Sequence, residues 1–173
     1  MKYETHKLCG VISSFAVGNI ILSDISIFKR VIFLIVISTF GGLGGTFPDV
    51  DAKNNNWNKM FGSIFKFRHR GKMHSLIPYI IVYFIIYKKI LTSVQRHELV
   101  SLYIIAISGF LIGVISHLAL DIITVRGVPI LYPFTKKNYS ILNLRTEKHD
   151  KYISFILKVL IAIYIFKNIR IYI

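Results

Sequence analysis

The sequence has few acidic side chains and almost no cysteine. It carries 8 Asp and Glu against 22 Lys and Arg, a formal net charge of +14. The single cysteine, Cys9, excludes an intrachain disulfide. Cys9 lies in an apolar, small-residue stretch and reads as a packing residue. No cleavable signal peptide with a small-residue exit site precedes a soluble domain, so the first apolar run is expected to stay in the membrane. There is no internal repeat and no low-complexity tract beyond Asn54-Asn55-Asn56. The surplus of cations suits two kinds of partner: nucleic acid, through a basic patch, or anionic lipid headgroups. Here most charges fall between long apolar runs and form no soluble basic face. That excludes nucleic acid and favours the membrane.

What the chain has in excess is hydrocarbon. It is 54% hydrophobic, above the roughly 45–50% of soluble domains. The excess is gathered into runs, as membrane helices require. The runs are Leu8 to Leu22, Val31 to Phe47, Leu76 to Leu91, Leu99 to Leu120 and Tyr152 to Phe166. The second ends in Gly41-Gly42-Leu43-Gly44-Gly45, where paired glycines let helix backbones approach closely. Pro78 falls in the first turn of the third, where proline is tolerated. The fifth run is short, is broken by Lys158, and fits either a tilted span or an interfacial helix. Polar segments from Pro48 to Lys72 and from Asp121 to Lys151 separate the runs. The fold class expected is all-α: one integral membrane domain over residues 1–173, a polytopic bundle of about four to five transmembrane helices with two longer polar loops on one face.

With five spans, fourteen of the 22 Lys and Arg fall on one side, in the N-terminus and the two long polar segments. Seven fall on the other side, and Lys158 lies within the fifth run. The positive-inside rule then assigns the cation-rich side to the cytoplasm.

Histidines and aspartates converge on that same side. His6 precedes the first run. Asp49 and Asp51 follow the second, in Pro48-Asp49-Val50-Asp51. His69 and His74 flank the start of the third, in His69-Arg70-Gly71-Lys72-Met73-His74. His117 and Asp121 end the fourth. Neither the hydropathy pattern nor the cation count uses these residues, so their convergence is an independent observation. Each piece has a plainer reading: a helix cap at Thr5-His6, a turn with solvated carboxylates at Asp49 and Asp51, a lipid-facing basic loop around Arg70. His117 and Asp121 resist one, because their i, i+4 spacing puts both on one helix face and ionisable groups at membrane depth are usually functional.

Imidazole and carboxylate together suit zinc, manganese or iron, whereas carboxylate alone suggests magnesium or calcium. The expected cofactor is a divalent metal, zinc or manganese, as one or two ions held among His6, Asp49, Asp51, His69, His74, His117 and Asp121. These are more ligands than one tetrahedral ion uses. Some therefore belong to a second ion, or serve in orientation and proton transfer. Arg70 and Lys72 lie within the cluster, and arginine matches phosphate in a bidentate way. The catalytic residues expected are Asp49 and His74 for proton handling and Arg70 as the anion clamp. The substrate expected is a membrane lipid or lipid-linked phosphate.

Thr5-His6, the glycine-rich second run leading into Pro48-Asp49-Val50-Asp51, His69-Arg70-Gly71, His74-Ser75, Ser116-His117 with Asp121, Gly127 and Pro133 together resemble the YdjM-like membrane-bound metal-dependent hydrolases. The resemblance covers residues 5 to 135 and implies a hydrolase of the bacterial inner membrane. A more distant similarity links the His-x-x-x-Asp pair to zinc-dependent phospholipase C and P1-type nucleases. The later His-x-x-x-Glu pair of that family is missing; Glu147-Lys148-His149 does not supply it. The alternative is a non-catalytic metal-binding or small transport protein, although transporters place their sites near the bilayer midplane and these residues lie at helix ends. His97, on the opposite face, is expected to take no part. The roles of Glu147, His149 and Asp150 are left open by the sequence.

Overall fold

The computed structural model describes residues 2–51, 72–94 and 97–169. Among these residues the chain forms five helices: α1 (Tyr3–Ile21), α2 (Ile27–Thr46), α3 (Leu76–Ser93), α4 (His97–Ile122) and α5 (Thr146–Ile169). Short 3-10 turns follow α2 at Phe47–Asp51 and precede α3 at Lys72–His74. Each apolar run has become a helix, and the expected all-α membrane bundle is the one observed. Among the described residues, three stretches are long and apolar enough to cross a bilayer: Ile27–Val50, Leu76–Ser93 and His97–Ile122. The helices also reach past the runs into polar sequence. α1 takes in Thr5 and His6, and α5 takes in Lys148, His149 and Asp150.

The helices alternate in direction. The starts of α1, α3 and α5 and the ends of α2 and α4 therefore meet at one end of the bundle. Lipid tails are as apolar as leucine, so close backbone approach has to hold such helices together. Small residues supply it. α1 buries one face made of Thr5, His6, Gly10, Ser14 and Gly18. That face lies on the α2 glycines: a Cβ at Gly41 would occupy the place of the Ser14 side chain, and one at Gly45 would come 2.6 Å from the His6 carbonyl oxygen. α4 enters from the other side through Gly113, where a Cβ would meet the Gly41 carbonyl. The Ser14 hydroxyl donates to the Gly109 carbonyl at 3.2 Å, tying α1 to α4.

α3 buries none of its residues. It rests on α4, where Tyr83 Oη and Ser108 Oγ lie 3.1 Å apart. The segment from 123 to 145 has no helix. It is closed by isolated bridges between Thr124 and Leu144 and between Val128 and Tyr139. Gly127 turns it at φ +58°, the left-handed region, with the Tyr139 carbonyl where a Cβ would stand. The Ser75 hydroxyl reaches the carbonyl oxygens of Ile130 at 3.0 Å and Tyr132 at 2.6 Å, and the Leu76 amide donates to Ile130 at 3.1 Å. This segment therefore braces the residue next to His74.

Candidate metal centre

Four elements deliver one cluster. α1 carries His6 on its buried face, one turn before Gly10. The 3-10 turn after α2 carries Asp49, and the turn before α3 carries His74. The last turns of α4 carry His117 and Asp121. The glycine contacts explain why these ends meet: with larger residues at Gly45 and Gly113, α1 and α4 would stand off α2.

The five side chains are nearly sealed. His6, His74 and His117 are each 0% exposed and Asp121 is 1% exposed. Only the Asp49 side chain keeps an opening, at 21% exposure. His6 Nε2 is 3.5 Å from Asp121 Oδ1, and His74 Nε2 is 3.4 Å from Asp49 Oδ1. Asp121 Oδ2 lies 3.8 Å from His74 Nε2 and 3.7 Å from His117 Nε2, and His117 Nε2 lies 3.9 Å from Asp49 Oδ1. The His6 and His117 rings stack, with centroids 3.8 Å apart.

These separations sit at or beyond the outer edge of hydrogen bonding. They match a different geometry. Ligands about 2.0–2.2 Å from a tetrahedral ion stand roughly 3.3–3.6 Å from one another. Two triads meet the spacing for a shared ion, His6 with His117 and Asp121, and Asp49 with His74 and His117. Within each, the candidate ligand atoms all lie within 4.8 Å of one another.

His117 shows how such a ligand is prepared. Its Nδ1 lies 2.7 Å from the Gly45 carbonyl oxygen. A carbonyl only accepts, so Nδ1 carries the hydrogen and Nε2 presents its lone pair to the cluster. Metal-binding histidines are commonly oriented in this way. Both nitrogens of His6, and Nε2 of His117, have no hydrogen-bond partner among the described residues. Burying imidazole nitrogens without partners is costly, and a divalent ion would satisfy one nitrogen of His6 and Nε2 of His117. The donor set therefore fits a metal. One lone pair serves one ion, so His117 can belong to only one of the two triads at a time. A second ion would need a bridging carboxylate.

Of the residues singled out from sequence, the structure brings together His6, Asp49, His74, His117 and Asp121. Asp51 lies in the same 3-10 turn as Asp49, but its side chain is outside the described residues. His69 and Arg70 are likewise outside them, as is the Lys72 side chain. His97 opens α4, twenty residues and about 30 Å along the helix from His117. The His149 Nδ1–H donates to the Arg145 carbonyl one turn back, at 2.9 Å. The Glu147 side chain falls outside the described residues.

Asp150 has a structural role that sequence reading left open. It is 4% exposed, and its Oδ1 accepts the Lys2 amide at 2.9 Å. The amides opening a helix lack intrahelical partners and carry partial positive charge. Asp150 thus fastens the start of α1, the helix that carries His6. No spacing signal marks a contact between residues 148 positions apart.

Comparison with known families settles the lineage. The model of the YdjM inner membrane protein family matches residues 1–172. The chain belongs to that family. It is accordingly an inner-membrane protein, and its three long apolar helices agree with that placement. The match extends past the 5–135 region in which the sequence resemblance lay, into α5. No curated protein and no solved structure matches the chain. The more distant similarity to zinc-dependent phospholipase C finds no support in these comparisons.

Proposed function

We propose that this YdjM-family protein is a membrane-bound, metal-dependent hydrolase acting on a phosphoester in a lipid or lipid-linked substrate. The observation that carries the reading is the sealed cluster of three histidines and two aspartates at ion-sharing distances, with the His117 lone pair fixed inward by Gly45. His6, His117 and Asp121 would hold a divalent ion, zinc or manganese, with Asp49 and His74 beside them. Such an ion supplies an activated water and stabilises charge developing on a phosphoryl oxygen.

The chain's own groups divide the remaining work. Asp49 is the cluster carboxylate open to the outside, so it is placed to take the proton from water and pass it on. His74, 3.4 Å from Asp49, steadies that carboxylate and can carry the proton to the leaving oxygen. Arg70, four residues before His74, is assigned as the clamp on the anionic substrate, since guanidinium matches phosphate geometry. The cluster sits at helix ends, which corresponds to headgroup depth and favours a lipid substrate. The cation asymmetry assigns this face to the cytoplasm. Lys136→Cys, an exposed position beside the cluster end, should therefore resist a membrane-impermeant thiol reagent in intact cells.

Purified protein in detergent, offered phospholipids, isoprenoid phosphates and generic phosphodiesters with and without chelator, tests the activity. Turnover that stops on chelation and in Asp121→Asn supports the mechanism. Activity surviving both refutes it. Bound metal with no turnover on any phosphoester would favour the non-catalytic metal-binding alternative.

A further inference from the structure

A groove lies between α2 and α3 near the cluster end of the bundle. α2 and α3 both rest on α4 but stand apart from each other. The space between them, about 200 Å³, is lined by Phe40 of α2, Tyr79, Val82, Tyr83 and Ile86 of α3, and Ile107, Phe110 and Leu111 of α4. Its walls are hydrocarbon and aromatic faces. The two tyrosine hydroxyls are engaged elsewhere: Tyr79 donates to the Met73 carbonyl at 2.8 Å, and Tyr83 pairs with Ser108. A polar ligand would find nothing to bond in it.

The upper end of the groove adjoins the cluster. Phe47 packs edge-on against Tyr79 and Phe110, with ring centroids 6.2 and 5.2 Å away. Phe47 opens the turn that carries Asp49. Tyr79 bonds the carbonyl of the residue before His74. From Tyr79 to Ile86 the groove descends about 10 Å along α3, toward the middle of the bilayer.

We propose that this groove seats one acyl chain of a glycerophospholipid whose phosphate lies at the His/Asp cluster. The inference rests on the hydrolase reading and names its substrate class. Proximity selects the occupant: a ligand spanning both places must be anionic at one end and pure hydrocarbon at the other. The volume, spread over that length, admits one unbranched chain and excludes two side by side. α3 leaves the groove open to the lipid phase, since none of its residues is buried, so a chain can enter sideways without leaving the membrane.

The test uses the full protein in phosphatidylethanolamine/phosphatidylglycerol vesicles containing a phosphatidylethanolamine with a photoactivatable diazirine in one acyl chain. Crosslinked residues are mapped by mass spectrometry. Val82→Trp fills the groove, and Ile81→Trp adds the same bulk on a different part of α3; both positions are exposed, so both variants should fold. Crosslinks are expected at Phe40, Ile107 and Leu111, to fall several-fold in Val82→Trp and to persist in Ile81→Trp. Hydrolysis of long-chain phospholipid should fall with them, while a water-soluble short-chain analogue is hydrolysed as before and bound metal is unchanged. Crosslinks spread evenly around α3, or equal behaviour of the two variants, would overturn the proposal. Groove crosslinks sensitive to Val82→Trp, without turnover of any phosphoester, would retain the chain site and remove the hydrolase reading.

Discussion

The two ends of the bundle hold similar residue types in opposite circumstances. At one end His6, His74 and His117 face Asp49 and Asp121 in near-complete burial. At the other, His97, Glu98 and Lys29 line a crevice of about 520 Å³ between α2 and α4. There Lys29 Nζ and Glu98 Oε1 pair at 3.3 Å with side chains 57% and 85% exposed. Exposed pairs of this kind contribute about 1 kcal/mol or less. The difference lies in the backbone beneath. Gly41, Gly44, Gly45, Gly109 and Gly113 bring the helices into contact towards the cluster end, whereas Phe28, Ile32 and Phe33 line the open crevice at the other. Histidine and carboxylate come within ion-sharing distances where the packing buries them together.

The largest break in that comparison is Gly113→Val. Its side chain would stand where the Gly41 carbonyl and Gly45 amide now are. Overpacking costs about 1–3 kcal/mol or more, and here it also separates α4 from α2. The variant should lose bound metal and give poorly monodisperse protein on size-exclusion chromatography. Glu98→Gln at the open end should leave the elution profile and the thermal midpoint nearly unchanged. A tolerated Gly113→Val would mean the helix contact is not what builds the cluster.

Next is Asp121→Asn, which keeps the shape but removes the charge between His6 and His117. Metal affinity by competitive chelation should fall by at least the roughly 10–100-fold typical of losing even an outer-shell partner. An unchanged affinity would remove Asp121 from the site.

Much of this architecture was legible in the sequence. The apolar runs gave five helices, and the convergence of His6, Asp49, His74, His117 and Asp121 followed from which run ends share a face. Helix starts were not legible. Hydropathy marks where the chain is apolar, but a helix continues through polar residues while its hydrogen bonds are satisfied. His6 therefore sits inside α1, and Asp150 inside α5. Contacts made by backbone groups were equally silent: the Gly45 carbonyl that orients His117 and the Lys2 amide held by Asp150 have no side-chain signature. Glycines 41 to 45 could be read as a packing surface, but not which helices they would receive.

Asp150 offers a smaller effect that sharpens the comparison, because it acts on the cluster only through α1. Asp150→Ala should weaken metal binding modestly, and Asp150→Asn, which can still accept from the Lys2 amide, should recover most of it. Equal loss in both variants would mean that the charge, and not the anchoring of α1, is what matters.

The central claim is that the buried cluster holds a divalent ion. Elemental analysis of detergent-purified protein tests it most directly, comparing the natural sequence with His117→Ala and His97→Ala. Stoichiometric divalent metal in the natural sequence and in His97→Ala, with clear loss in His117→Ala, is the predicted result. Equal metal content in all three, or metal lost on changing His97 and kept on changing His117, would contradict the account.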